Sequence, residues 1–417
     1  MNNKIYSFLV SVIVIFSVIS YFGKKTFAGE MSGIQKSDEV VVVSNPKAPV
    51  YKNETKMRIG FIEDLSIGEA EGDENYMFGR SIVFNTDGDG NFYVGDSDNN
   101  KILKYNPQGK YILTIGRKGQ GPGEFQSLSV PRFDKDNNLY IADSINNRIS
   151  FFDKNGKYLK QIQMQERYFN LYINSRGFIV ATKLNLSQEA NIQKQTFIYG
   201  LFDDKFNLAA ELYRNETEMA LPTGIDESSL ADFVAKALSV GAFRPQVRLT
   251  LANNDSIYLG YPEKYEINIY SPEGKIVKKI TKEYEPIVVS EKDKESFLKI
   301  AGESLSASSP VFTEDIKKKA FQKIKYPKYK PAYLSFTLME NGWLAVIVDS
   351  LEGEYTLFDI FDQEGKYVAN FKTKIPAEGM FSELLFFKNG KAYSVATEND
   401  YKFVKRYRFE IQEYKDK

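Results

Sequence analysis

Cysteine and histidine are both missing from the 417 residues. Without thiolate or imidazole there can be no Ser-His-Asp triad, no cysteine nucleophile, no ordinary zinc site and no histidine-ligated haem. Carboxylates, Lys, Tyr, Ser and Thr are the groups left for catalysis, and oxygen-seeking ions such as calcium or magnesium are the metals left. Disulfides are excluded as well, so stability has to come from a large buried sheet system. Charge of one sign is not in excess either, since 55 basic residues balance 55 acidic ones. Such a chain lacks the basic footprint of a nucleic-acid binder.

What is present begins with a basic start at Lys4, an apolar run from Tyr6 to Phe22, and Thr26-Phe27-Ala28 ahead of Gly29. This order describes an export signal cleaved after Ala28. Lys24 and Lys25 sit between the apolar run and that cut, and a run of about 17 residues is just long enough to stay as a membrane anchor. Residues 1–28 are therefore read as signal peptide or anchor, and the body of the chain as extracytoplasmic: periplasmic, secreted or on the cell surface. No cysteine is available to carry a lipoprotein's lipid. Loss of Lys4, Lys24 and Lys25 from the 55 basic residues would leave 52 against 55 acidic ones. Residues 29–55, polar and holding Pro46 and Pro49, read as a flexible linker.

Asp87 to Ile115 is written again 47 positions later, from Asp134 to Ile162. Asp87-Gly-Asp-Gly-Asn-Phe-Tyr-Val-Gly-Asp96 is answered by Asp134-Lys-Asp-Asn-Asn-Leu-Tyr-Ile-Ala-Asp143, and Asn99-Asn100-Lys101-Ile102 by Asn146-Asn147-Arg148-Ile149. Short β-runs at this period, separated by Asx and Gly turns, are the pattern of propeller blades. Fainter copies of the second strand stand at 177–182, 256–261, 342–348 and 391–397, which brings the count to six. The turn after each third strand ends in a glycine at Gly109, Gly156, Gly274 and Gly365, where a positive φ is expected; Asn207 is expected to replace it in the third copy. The last copy has three runs, so Met57 to Ile62 is predicted to complete it and close the ring. The predicted fold is all-β, a six-bladed propeller over 56–417 with helical insertions at about 226–242 and 290–325, capped by Asp226, Ser290 and Thr313. Both insertions read as surface decoration, with a wall beside the channel as the other reading.

Asn91 to Ser97 with Asn99 to Ile102, followed by Gly116-Arg-Lys-Gly-Gln-Gly-Pro-Gly-Glu-Phe125, resembles the NHL-repeat class of six-bladed propellers. The likeness is specific over 79–163 and fades beyond, and the layout is similar to that of bacterial secreted six-bladed propellers. The resemblance implies a rigid ring that serves, in different members, as a binding module, an RNA-binding domain, a lactonase or an amidating lyase. The lyase's zinc site needs histidines, which this chain lacks. The lactonases' calcium ligands have no residue-by-residue match in it.

Two motifs imitate ligand sites. Gly116 to Phe125 is rich in glycine and bears basic residues, but it lacks the Gly-Lys-Ser/Thr ending of a phosphate loop and reads as a connection between blades. Asp87-x-Asp89 and Asp134-x-Asp136 begin like calcium loops, yet Phe92 and Leu139 stand where such a loop needs glycine. Asx-stabilised turns are the first reading for these four residues and calcium the second. Asp96, Asn100, Asp143 and Asn147 recur and therefore read as scaffold, the carboxylates accepting loop N–H groups and pairing with Lys101 or Arg148. No catalytic residue or cofactor emerges. The chain reads as a non-enzymatic binder of a protein, peptide or glycan, with a calcium-dependent hydrolase or lactonase and a structural subunit of a cell-surface assembly as alternatives.

Overall fold

The computed structural model describes residues 40–50, 56–222, 224, 226–351, 355–373 and 385–414. The segment 1–28, expected to be a signal peptide or anchor, lies outside them. Six blades form, each of four antiparallel strands running outward from an innermost first strand, and one of the six sheets carries a fifth strand at its outer edge. Blade one is β3 (Ile82–Thr86), β4 (Phe92–Asp96), β5 (Lys101–Tyr105) and β6 (Tyr111–Ile115). Blade two is β7 (Arg132–Phe133) to β10 (Tyr158–Gln163), and blade three is β11 (Arg167–Ile173) to β14 (Leu208–Ala220). Blade four is β15 (Arg248–Leu251) to β18 (Ile276–Lys282), and blade five is β19 (Ser335–Leu338) to β22 (Tyr367–Thr373). Blade six takes β23 (Leu385–Lys388), β24 (Lys391–Glu398) and β25 (Tyr401–Tyr414) from the end of the described chain. Its fourth strand is β2 (Lys56–Ile67), which pairs antiparallel with β25.

Second strands such as β4 and β8 (Leu139–Asp143) are buried at every position, because neighbouring blades cover both faces of a sheet. Outer strands alternate, as in Tyr111–Ile115, since only one of their faces is fully covered. The core consists of the six seams between blades. Phe84, Phe92 and Tyr393 fill the seam of blades six and one, Phe125 and Phe152 the next, and Phe358 and Phe371 that of blades five and six.

The blades are tied by the turn glycines. Gly109, Gly156, Gly274 and Gly365 have φ between +78° and +89°. A Cβ on Gly274 would stand 2.6 Å from the Ala210 side chain of blade three, and one on Gly365 would stand 2.9 Å from Ile280 of blade four. Left-handed backbone and close approach to the preceding blade both call for glycine. In blade three the left-handed residue is Phe206 (φ +64°), correcting the expectation of Asn207. The position is the fourth of the turn in blades one to five, and Asn207 instead donates its Nδ2 to Asp203 at 2.8 Å. The Phe206 ring is buried 4.5 Å from that of Tyr168, which offsets a backbone cost of about 1–2 kcal/mol.

Asp64 of β2 fastens the ring closure. It accepts from Arg406 at 2.7 Å and from Lys391 at 2.9 Å. Burial alone would raise its carboxyl, but these two cations hold it below the usual range. A depressed folded pKa gives stability that is complete above the unfolded value of about 4 and is lost as pH falls through the folded one. Acid unfolding curves of Asp64→Asn should therefore lose part of the wild type's pH dependence below about pH 4, and identical curves would contradict this role.

Part of the expected linker is structured. Within 29–55, β1 (Val41–Asn45) adds to blade four as a fifth strand, parallel to β18. Asn45 fixes it by spanning two blades: its Nδ2 donates to Thr281 O and Gly365 O, each at 3.0 Å, and its Oδ1 accepts from Tyr367 N at 2.7 Å. Polar composition suggested a tether, whereas the Val41-Val42-Val43 run and one amide that matches three backbone groups make a strand. Asn45→Ala should cost about 2 kcal/mol in chemical unfolding and speed amide exchange in 41–45, since buried backbone groups would lose their partner. Unchanged exchange would count against the strap.

Helices α1 (Glu227–Gly241), α2 (Glu291–Ser308) and α3 (Glu314–Phe321) start at Asp226, Ser290 and Thr313, with a reciprocal capping box at Ser290 and Asp293. They join outermost strands to the next innermost ones, so all three lie on one face of the ring. Phe233, Val234, Leu305, Phe312 and Ile316 form their shared core. Lys330 ties this cap to blade five, bonding Asp293 at 2.7 Å and Asp349 at 3.1 Å. None of the described helices is long and apolar enough to cross a membrane.

Candidate functional site in the central channel

The innermost strands enclose a channel of about 680 Å³. Pairing with the second strands sets six equivalent positions around it: Asn85 opposite Tyr93, Arg132 opposite Tyr140, Tyr172 opposite Val180, Thr250 opposite Tyr258, Thr337 opposite Ala345 and Phe386 opposite Tyr393. All six line the channel and all are half-buried, whereas the preceding residue of each strand is buried in a seam. The two-residue period of a strand thus separates scaffold from lining. The six blades offer five different side chains at the same place, threonine occurring in both blade four and blade five. Two residues further back, Asn170, Arg248 and Ser335 line a second level.

Arg132 lies with its guanidinium carbon 3.6 Å from the centre of the Tyr172 ring, a stacking contact from blade two to blade three. The Tyr172 hydroxyl donates to Leu249 O at 3.3 Å, carrying the link to blade four. Arg248 donates its Nε to Leu334 O at 2.7 Å. Toward the face opposite the helices, Lys388 donates to Thr86 O and stands 5.5 Å from the Phe133 ring centre. Burial pushes its ammonium below the usual lysine range, against the pull of Asp87 and Glu340. Glu340 is the one acidic residue among the described lining residues, and its Oε2 accepts from Gly390 N at 3.0 Å.

The residues singled out from the sequence lie elsewhere. Asp87 Oδ1 accepts from Asp89 N at 3.0 Å and Asn91 N at 2.9 Å, and Asp134 Oδ1 from Asp136 N and Asn138 N, each at 2.9 Å. These are Asx turns on first hairpins; Asp89 and Asp136 point to solvent. Among the described residues no group of three or more carboxylates is gathered for a metal ion. Asp96 accepts from Gly79 N at 3.1 Å and Asn99 Nδ2 at 2.8 Å, and Asp143 from Gln126 N at 2.8 Å, Ser127 N at 3.1 Å and Asn146 Nδ2 at 2.8 Å. Asn100 and Asn147 are left-handed, with φ of +53° and +49°.

The expected pairing of Asp143 with Arg148 is not what forms. Arg148 turns to the glycine-rich loop, donating to Gln120 O at 2.8 Å, Gly121 O at 2.6 Å and Glu124 O at 2.8 Å. That loop is wrapped around a guanidinium, because Asp143 is already occupied by backbone and amide donors. Sequence reasoning missed Arg132, Tyr172, Arg248, Thr250, Thr337, Phe386 and Lys388. A signal for five of the six ring positions was present: in blades one to five they stand two residues before the residue that opens the first turn, Asp87, Asp134, Asn174, Ala252 and Met339.

A family model described as a 6-bladed beta-propeller matches residues 83–220, the extent of blades one to three. It is described by its six blades and not by the NHL repeat. No curated protein matches the chain. Among solved structures, a candidate exported protein from Bacteroides fragilis is similar in fold at 11% identity, with a TM-score of 0.51 over 89% of this chain and 100% of its own. Virginiamycin B lyase from Staphylococcus aureus gives 10% identity and a TM-score of 0.39 over 85% and 99% of the two chains. A gluconolactonase from Xanthomonas campestris gives 11% and 0.37 over 78% and 86%. At these identities the likeness concerns the fold alone. Six blades of four antiparallel strands each, a ring closed by β2 and a family match across three blades make this chain a six-bladed β-propeller.

Proposed function

We propose that the protein is an exported binding module that takes a peptide, glycan or protein terminus into its central channel. The observation that carries this reading is the ring of six lining residues, of five types, at one structural position. Scaffold positions repeat from blade to blade, so a position that varies while its backbone stays fixed is free to serve recognition. A volume of about 680 Å³ suits a compact group, with aromatic faces beside amides and hydroxyls. Among the described lining residues Glu340 alone does not make the carboxylate pair of a hydrolase, and Asp87, Asp89, Asp134 and Asp136 stand outside that lining, which favours binding over calcium-dependent hydrolysis. Export is supported by the leader-like segment at 1–28.

The test is an array of defined glycans and peptides probed with the wild-type chain and with Thr337→Trp, which places an indole in the ring. Species held by the wild type should be lost at least about tenfold in the variant at unchanged melting temperature, because bulk in a pocket of this size excludes its ligand. Equal retention would sink the channel reading.

A further inference from the structure

The innermost strand of blade three departs from the regular ladder. In β11 the register shifts between Phe169, opposite Thr182, and Tyr172, opposite Val180, so that Asn170 and Leu171 together face Ala181. The innermost pairings of the other five blades show no such shift. This is a β-bulge, which re-aims a side chain that strand alternation would send elsewhere. Tyr168 and Leu171 pack in the seam of blades two and three, and Phe169 and Tyr172 pack against that of blades three and four. Asn170, inserted between the two pairs, lines the channel.

The backbone of Asn170 is left-handed, with φ of +49°. Among the described non-glycine residues with positive φ it is the one that lies inside a strand; the others stand in turns and loops. Glycine would satisfy such a backbone without strain, whereas asparagine adds an amide. Asn170 is half-buried, and its amide forms no hydrogen bond to any described residue.

The lining carries hydroxyls in the same condition. Thr250 of blade four, its cross-strand partner Tyr258 and Thr337 of blade five line the channel and form no side-chain hydrogen bond to any described residue. Burial raises the Tyr258 hydroxyl above its ordinary range, so it keeps its proton and stays a donor. Each of these four groups both donates and accepts. The asparagine amide presents its N–H and C=O side by side, which matches two hydroxyls on adjacent carbons. A trans peptide group points its N–H and C=O in opposite directions and cannot answer both. Phe386 and Tyr172, at the ring positions, add apolar surface for the C–H faces of a sugar ring.

We propose that the channel binds a short saccharide through its hydroxyl groups, with Asn170 as the specificity-determining residue that donates to one hydroxyl of a vicinal pair and accepts from the other. The proposal rests on the channel reading above. Thr250, Thr337 and Tyr258 bond further hydroxyls of the same ligand.

Titration calorimetry on the full exported chain would use neutral disaccharides of different stereochemistry: maltose, cellobiose, lactose and mannobiose. At least one should bind with a Kd of about 1 mM or below. Among its monodeoxy analogues one should bind at least about tenfold more weakly, because a site built around a hydroxyl rejects the analogue that lacks it. Asn170→Gly keeps the left-handed backbone and removes the amide. At matched melting temperature its affinity for the parent sugar should fall at least about tenfold, and its discrimination against that deoxy analogue should vanish. Thr250→Val, nearly isosteric and on a regular strand, should also weaken binding and guards against a folding defect at Asn170. No binding of any of these disaccharides at about 10 mM, affinity indifferent to both substitutions, or deoxy discrimination unchanged in Asn170→Gly overturns the saccharide site. A peptide held in their place and lost in Thr337→Trp overturns it while leaving the channel reading intact; saccharide binding that survives Thr337→Trp removes both.

Discussion

Replacing Asp359 by Ala should cost about 3–5 kcal/mol, as expected when one partner of a buried ion pair is removed. Asp359 of β21 (Tyr355–Phe361) and Lys282 of β18 lie 3.3 Å apart, with side chains only 6% and 7% exposed. The carboxylate also accepts from the hydroxyls of Tyr265 and Tyr367, each at 2.7 Å. Burial, and then the Asp359 charge, push the Tyr265 hydroxyl well above its ordinary range, so it remains a donor. Lys282 stands 4.6 Å from the Tyr367 ring centre and 5.0 Å from that of Tyr265. Without Asp359 the ammonium would keep two aromatic faces but lose its counter-charge, and two buried hydroxyls would lose their acceptor. The network lies in the seam of blades four and five, at the strand where Asn45 of the strap pairs with Lys282. Lys282→Met combined with Asp359→Leu should recover most of the loss, since an apolar pair of similar volume avoids the uncompensated charge. Urea unfolding of the three variants checks this; a double variant as unstable as Asp359→Ala would contradict it.

Arg148→Ala should be the second large effect, about 3 kcal/mol, because three charge-assisted bonds to backbone carbonyls vanish together. Arg148 is buried, and the loop it organises is otherwise held by Phe125 N to Arg117 O at 2.8 Å, Gly119 N to Phe125 O at 3.0 Å, Glu124 N to Gly121 O at 3.1 Å, Asn146 Nδ2 to Gly119 O at 3.0 Å, and the Glu124 carboxylate accepting from Arg117 and Gly121 N, each at 2.8 Å. Arg148→Lys should recover little, since one ammonium cannot reach carbonyls spread over the same arc. Limited proteolysis gives a local reading. Cleavage at Arg117 or Lys118 should accelerate in Arg148→Ala at temperatures where the rest of the ring stays folded. Cleavage at the wild-type rate would mean that the glycines shape the loop unaided.

The sequence carried the ring and most of its turns because these depend on local chemistry. Asx residues that bond their own turn, glycines at left-handed positions and alternating apolar strands follow the backbone, and the fourth strand of the last blade was legible as the one run without a partner. Cap residues Asp226, Ser290 and Thr313 were legible for the same reason. What escaped depends on contacts between distant segments. That Phe206 and not Asn207 takes the left-handed place is supported by Tyr168, a residue of the innermost strand of the same blade, far from the turn in sequence. The partners of Arg148 are carbonyls, which no side-chain pattern announces. Strand β1 escaped because a parallel edge strand is stabilised by its host, β18, more than by its own sequence. The channel ring was hidden for another reason: its residues share a register, and no one residue type runs through it. The insertions, where the repeat breaks most visibly, contribute no side chain to the described channel lining.

Amide hydrogen exchange with and without whichever ligand the array identifies tests the central claim most directly. Binding in the channel predicts slower exchange in the innermost strands, above all at 248–251 and 335–338, with the helical cap at 227–241 and 291–321 unchanged. Protection confined to the cap, with the innermost strands exchanging as before, would contradict the account and move the site to the helical inserts.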